Sequence, residues 1–133
     1  MRYLLDTNAL YWWLYFPELL PKKVRETLAD PNLQAFVSAV SAYEVSYKHH
    51  RGRWPEVAAL VAAFEQIIAA ERFELLPLSA EHATRAGAYS SEHRDPFDRM
   101  LVAQATVEGM RIISSDKGLR LLGAEPLWDN SRD

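Results

Sequence analysis

The sequence predicts an α/β fold built on a mostly parallel sheet covered on both faces. Two observations carry this. Short apolar runs alternate with helical stretches along the whole chain, and the runs are continuous instead of alternating polar with apolar, as in strands buried on both faces. A third bounds the size: 133 residues, 49% hydrophobic, match one domain over residues 1–133 with enough apolar side chain for a core.

The elements follow in order. Tyr3-Leu4-Leu5 reads as a buried strand. Asp6-Thr7-Asn8 offers cap chemistry for a helix from Ala9 to Tyr15. Pro17 and Pro21 bracket a break, and Pro21 suits the first turn of a helix over Lys22 to Ala29. Asp30-Pro31-Asn32 is a turn before a second strand, Ala35 to Ser38. A helix runs from Ser41 to about His50, with Gly52 as its terminator. Pro55 opens a long helical stretch, Glu56 to Ala70. Phe73 to Pro77 is a third strand. Ser79 caps a helix to about Tyr89, and Ser90 to Arg94 is a loop. Asp95-Pro96 starts a helix ending near Gly109. Arg111 to Ser114 is a fourth strand, Lys117 to Leu122 a short helix, and Glu125 to Trp128 a last edge strand.

Composition excludes several classes. Without cysteine there are no disulfides, no thiolate catalysis and no Cys-ligated zinc. Asp6 interrupts the N-terminal apolar stretch before a signal sequence forms, and no segment is apolar for long enough to span a bilayer, so a cytoplasmic protein is expected. The formal charge of −3 does not advertise a polyanion partner, although Lys48, Arg51 and Arg53 cluster and Arg94 and Arg99 flank an acidic pair.

The chemistry sits in the acids. Asp6 closes one apolar strand and Asp116 another, Asp98 lies one turn into a helix, and Glu44 lies on a half-buried helix. In parallel α/β folds a site forms beyond the carboxyl ends of the strands, where Asp6 and Asp116 fall. Carboxylates gathered there repel one another and call for a cation. Oxygen ligands without His or Cys partners favour Mg²⁺ or Mn²⁺ over Zn²⁺. A metal-dependent phosphoryl-transfer enzyme is therefore the first hypothesis.

Each acid also has a plainer role. Asp6 can cap the first helix, and Glu44 can pair with Lys48 four residues on. Asp95 before Pro96 is a helix cap that puts Asp98 at the third helical position, and one helix start rarely needs two acids. His49, His50, His82 and His93 show no metal-ligand spacing with one another, so surface or packing roles are expected for them.

The motifs Leu4-Leu5-Asp6-Thr7-Asn8-Ala9-Leu10, Ser38-Ala39-Val40-Ser41-Ala42-Tyr43-Glu44-Val45, His93-Arg94-Asp95-Pro96-Phe97-Asp98-Arg99-Met100-Leu101-Val102-Ala103-Gln104-Ala105 and Ile113-Ser114-Ser115-Asp116 resemble, in this order, those of PIN-domain ribonucleases. The resemblance is to the VapC-type toxins of bacterial toxin–antitoxin pairs, and it covers essentially the whole chain. It implies a three-layer α/β/α sandwich with a central mostly parallel sheet of four to five strands. It further implies Mg²⁺- or Mn²⁺-dependent endonucleolytic cleavage of RNA. Asp6, Glu44, Asp98 and Asp116 match the family's acidic quartet, with Asn8 and Ser114 at supporting polar positions and Asp95 open as a further ligand, a supporting group or only the helix cap. A homodimer and a cognate antitoxin are implied as partners.

On that reading Asp6, Asp116 and Asp98 hold the ion, Glu44 binds through water or positions the nucleophile, and Lys48, Arg51, Arg53, Arg94 and Arg99 contact the RNA backbone. Two alternatives stand beside it. One is a phosphatase or DNA-directed nuclease on the same architecture. The other is a metal-binding regulatory or partner-binding domain without nuclease activity.

Overall fold

The computed structural model describes residues 1–90 and 92–128; Ser91, within the expected loop, lies outside them. Four short strands form one sheet: β1 (Arg2–Leu5), β2 (Gln34–Ser38), β3 (Glu74–Leu76) and β4 (Arg111–Ile113). Their order is β3-β2-β1-β4 and every pairing is parallel. Leu5 registers with Val37 on one side and Ile113 on the other. The chain steps outward from β1 to β2 to β3, then returns to place β4 on the opposite side of β1. The β1/β4 boundary is thus the point where the winding reverses, which is where α/β sheets open a crevice at their carboxyl ends.

Helices cover both faces because consecutive strand residues point to opposite sides. Leu5, Val37 and Ile113 pack with Leu10 of α1 (Thr7–Tyr15), Val24 and Leu28 of α2 (Lys22–Ala29), and Ile68. Leu4, Ile112 and Leu76 pack instead with Leu101, Val102 and Ala105. These lie on the helix Pro96–Glu108. Each fully buried Leu or Ile here is worth about 1.5–3 kcal/mol. The result is the expected three-layer α/β/α arrangement.

Helix α3 (Ala39–His50) starts two residues earlier than the sequence indicates, because Ser38 caps it by accepting from the Val40 amide. The long helix expected over Glu56 to Ala70 is broken. A 3-10 turn, Pro55–Val57, leads into α4 (Ala58–Ala62), and Ala63 (φ −139°, ψ 48°) separates that from α5 (Phe64–Ala70). The break redirects the chain between two apolar clusters. Val57 and Leu60 join Val45, whereas Ile68 joins the sheet, and Phe64 touches both.

Ser79 caps α6 (Ala80–Ala88), with His82 completing a reciprocal capping box. The His82 Nδ1 accepts from the Ser79 amide, so Nε2 donates to Glu108, 2.9 Å away. Helix α7 (Pro96–Glu108) ends at Gly109, whose φ of 67° is left-handed. Lys117–Leu122 is a 3-10 helix. The last expected strand reduces to one bridge, Leu127 beside Ile113. Pro126 has no N–H to extend it, and the carbonyls of Glu125 and Pro126 accept from the Arg111 guanidinium.

Candidate metal centre

Four elements deliver the acids, each for a local reason. Asp6 follows β1 and caps α1, its Oδ1 accepting from the Ala9 amide at 2.8 Å. Its own amide donates to the Ile113 carbonyl at 3.0 Å, extending the β1/β4 ladder by one residue. Ser114, fully buried at the end of β4, bonds the Asp6 carboxylate with its side chain. The Ser114 Oγ also accepts from the Asp116 amide at 3.0 Å. One hydroxyl therefore fixes the acids of two neighbouring strands, which lie far apart in sequence.

Asp116 caps the 3-10 helix through the Gly118 amide, 2.8 Å from Oδ1. Asp95 is the cap of α7, accepting from the amides of Phe97 (2.9 Å) and Asp98 (3.3 Å). That leaves the Asp98 side chain, at the third helical position, to face the crevice. Glu44 comes from α3. It accepts from the Thr7 hydroxyl at 2.6 Å and pairs with Lys48 at 3.2 Å. Both partners of that pair are largely buried (side chains 16% and 20% exposed), so it is more than a solvated helix contact.

The electrostatics agree with the geometry. Asp6 is only 8% exposed. Burial pushes its carboxyl up to about 7; the bonds from Ser114 and Ala9 pull the other way, and the charges of Asp98 and Glu44 add to the rise. Burial likewise raises Asp98 to about 6, opposed by its bond to His93 and reinforced by Asp95 and Asp116. Two neighbouring carboxylates are thus held above their ordinary range, chiefly by burial and further by nearby negative charge. The donor set of the crevice is carboxylate oxygen plus one imidazole, which suits a divalent cation. His93, Asp98 and Asp116 each offer a donor atom, all within 4.8 Å of one another.

His93 is the residue the sequence did not reveal. It has no histidine partner at metal spacing, and only the loop before α7 carries its ring over the acids. There its Nε2 lies 2.9 Å from Asp98 Oδ2. The one sequence signal was its place five residues before Asp98 in the third motif.

Other expectations shift. Asn8, a candidate supporting group, is exposed, and it is the buried Thr7 that reaches an acid. Arg99 is not free to grip a backbone phosphate. Its guanidinium donates to the carbonyls of Ala86 (3.1 Å), His93 (2.9 Å) and Tyr89, strapping that segment to α7. Lys48 stacks over the Trp54 ring and Arg51 over Tyr47, while Arg51, Arg53 and Arg94 stay exposed.

An α/β/α sandwich with acids gathered at the β1/β4 switch point is the architecture of a PIN domain. A model of the PIN domain family matches residues 3–125, and the chain belongs to that family. It is similar to Ribonuclease VapC22 of Mycobacterium tuberculosis (strain ATCC 25618 / H37Rv), being 28% identical over 118 residues that cover 88% of each protein. Its fold is similar to VapBC2 from Rickettsia felis bound to a DNA fragment from their promoter (TM-score 0.72, 18% identity, 97% of this chain and 100% of that one). It is also similar to DNA-bound VapBC from Salmonella typhimurium (TM-score 0.63, 22% identity, 95% and 93%). Among the described residues no helix is long and apolar enough to cross a membrane.

Proposed function

We propose that this chain, as one PIN domain over residues 1–133, is a Mg²⁺- or Mn²⁺-dependent endoribonuclease and the toxin of a toxin–antitoxin pair. The observation that supports the reading is that the charges of Asp98 and Glu44 reach the buried Asp6, while Asp98 and Asp116 offer donor atoms within 4.8 Å of each other. Family membership and the likeness to Ribonuclease VapC22 support RNA as the substrate. A homodimer and a cognate antitoxin belong to the same proposal on the strength of the family.

Asp6, Asp98 and Asp116 would hold the ion, which when bound acidifies a water and offsets charge on the phosphodiester. The chain's own groups do the rest. Ser114 and the Ala9 amide hold Asp6 in one orientation. Thr7 and Lys48 fix the two oxygens of Glu44, which positions the attacking water. Lys48 sits beside that carboxylate, where a phosphate would approach, and Arg51, Arg53 and Arg94 supply exposed positive charge for the RNA backbone.

Purified protein should cleave RNA with Mg²⁺ or Mn²⁺, stop in EDTA, and lose cleavage in Asp6→Asn while staying folded. Full activity of that variant, or undiminished cleavage in EDTA, overturns the proposal. RNA, DNA and small phosphomonoesters tested separately distinguish the ribonuclease from other phosphoryl-transfer enzymes, and metal-dependent turnover of RNA sets the non-enzymatic alternative aside.

A further inference from the structure

We propose that His93 is a nitrogen ligand of the metal centre, sharing an ion with Asp98 and Asp116, and that it biases the site toward Mn²⁺ over Mg²⁺. The inference rests on the metal-dependent reading above. It goes beyond it, because the acidic quartet is an all-oxygen site with no reason to prefer one of these ions.

Three observations place the imidazole. Its Nε2 lies 2.9 Å from Asp98 Oδ2. Neighbouring ligands of one octahedral ion, with bonds of about 2.1 Å, stand about 3 Å apart, so the two atoms already have the spacing of ligands that share an ion. His93, Asp98 and Asp116 present donor atoms within 4.8 Å of one another, from a loop, a helix and a strand end. Finally, the ring is seated by Gly118. A Cβ at Gly118 would lie 3.2 Å from His93 Nδ1 and 3.3 Å from Cε1, closer than side chains ordinarily pack. Glycine there lets the Nδ1 edge rest against the 3-10 helix and turns the Nε2 edge to the acids.

The chemistry gives the selectivity. Neutral imidazole, protonated on Nδ1, offers a lone pair at Nε2. Mg²⁺ takes hard oxygen and gives up its water reluctantly, whereas Mn²⁺, although the weakest binder of the divalent transition series, gains more from a nitrogen ligand than Mg²⁺ does. A positioning role alone, with Nε2–H holding Asp98 in place, predicts no bond between nitrogen and metal. The two are separable by experiment.

The test is electron spin-echo envelope modulation on the Mn²⁺-loaded full chain, with calorimetric titration of Mn²⁺ and Mg²⁺. The wild type should show nitrogen modulation from a directly bound imidazole, and His93→Gln should abolish it. The same substitution should weaken Mn²⁺ binding at least about tenfold and Mg²⁺ binding less than about threefold. Mn²⁺ bound without nitrogen modulation, or modulation that survives His93→Gln, overturns the role of His93 and leaves the nuclease reading intact. Failure of the wild type to take up Mn²⁺, or unchanged uptake in Asp98→Asn and Asp116→Asn, overturns both.

Discussion

The Thr7 hydroxyl donates to Glu44 Oε1 at 2.6 Å, joining the first residue of α1 to the middle of α3. Thr7 Oγ1 also lies 2.9 Å from the buried Ser41 Oγ. Since the single Thr7 proton goes to Glu44, Ser41 donates to Thr7, and a short relay of hydroxyls ends on a site carboxylate. Thr7→Val keeps the shape and removes the relay. RNA cleavage should fall about 10- to 100-fold as Glu44 loses its orientation. Stability should fall by about 1–3 kcal/mol, because the Ser41 hydroxyl is left buried without its acceptor. Denaturant melts and single-turnover cleavage would check both; an unchanged rate would show that Glu44 needs no such support.

Without metal, the protein should be more stable in mild acid than at neutral pH. The Asp6 carboxyl has a folded pKa of about 7 against an ordinary value of 3.8. It therefore binds a proton more tightly when folded. The resulting stabilisation is complete below about pH 4 and is lost as pH rises through about 7. Asp98, raised to about 6, acts in the same direction. In EDTA, melting temperature should drop between pH 5 and pH 8. Asp6→Asn should flatten that slope and be more stable than wild type at pH 8, by on the order of a few kcal/mol. A wild-type curve parallel to that of the variant would contradict the buried, repelled carboxylate.

Adding Mg²⁺ or Mn²⁺ at pH 8 should raise the melting temperature of the wild type, since an ion bound only by the folded state stabilises it by about 2.7 kcal/mol at a hundredfold excess over Kd. Asp6→Asn and Asp98→Asn should show little of this rise. Thermal melts with and without the ion would measure it, and equal rises in all three proteins would place the ion elsewhere.

Gly118→Ala should cripple the site without unfolding the chain. The new Cβ would stand 2.9 Å from Asp116 Oδ1, besides crowding His93. Asp116 or the ring must move by a few tenths of an ångström; since misplacement by about 1 Å costs about 100-fold in rate, cleavage should fall on the order of tenfold. Cleavage assays beside circular dichroism melts test this; wild-type activity would mean that the acid and the ring can yield freely.

Gln104→Leu should destabilise without touching the crevice. The Gln104 side chain is fully buried, accepts from Ser38 Oγ at 2.6 Å and donates to the Pro77 carbonyl at 3.3 Å. Removing it leaves a buried hydroxyl and a carbonyl unpaired, at about 1–3 kcal/mol each before any relaxation. A shift of the urea midpoint with unchanged metal affinity in the folded protein is the expected result.

Much of the fold was legible because its signals are local. Apolar runs at Leu4, Val37 and Ile112 become strands since nothing else buries so short a stretch, and Ser79, Asp95 and Gly109 cap helices by bonds or backbone angles within a few residues. The helix over Glu56 to Ala70 misled for the opposite reason. Its composition favours one continuous helix, but two separate apolar clusters pull its halves apart at Ala63. The final strand failed because Pro126 cannot donate to a ladder and Arg111 occupies the nearby carbonyls.

By itself the sequence determined the alternation of strand and helix, the family, and the four acids at the ends and starts of elements. Only the tertiary structure decided that Thr7 supports Glu44, that Arg99 straps a loop, and that Ser114 joins Asp6 to Asp116. It also alone set His93 over the acids. The Thr7 and Ser114 bonds to Glu44 and Asp6 join residues far apart in sequence, and those of Arg99 and His93 depend on how one loop folds back on α7; neither kind leaves a periodic trace in a chain.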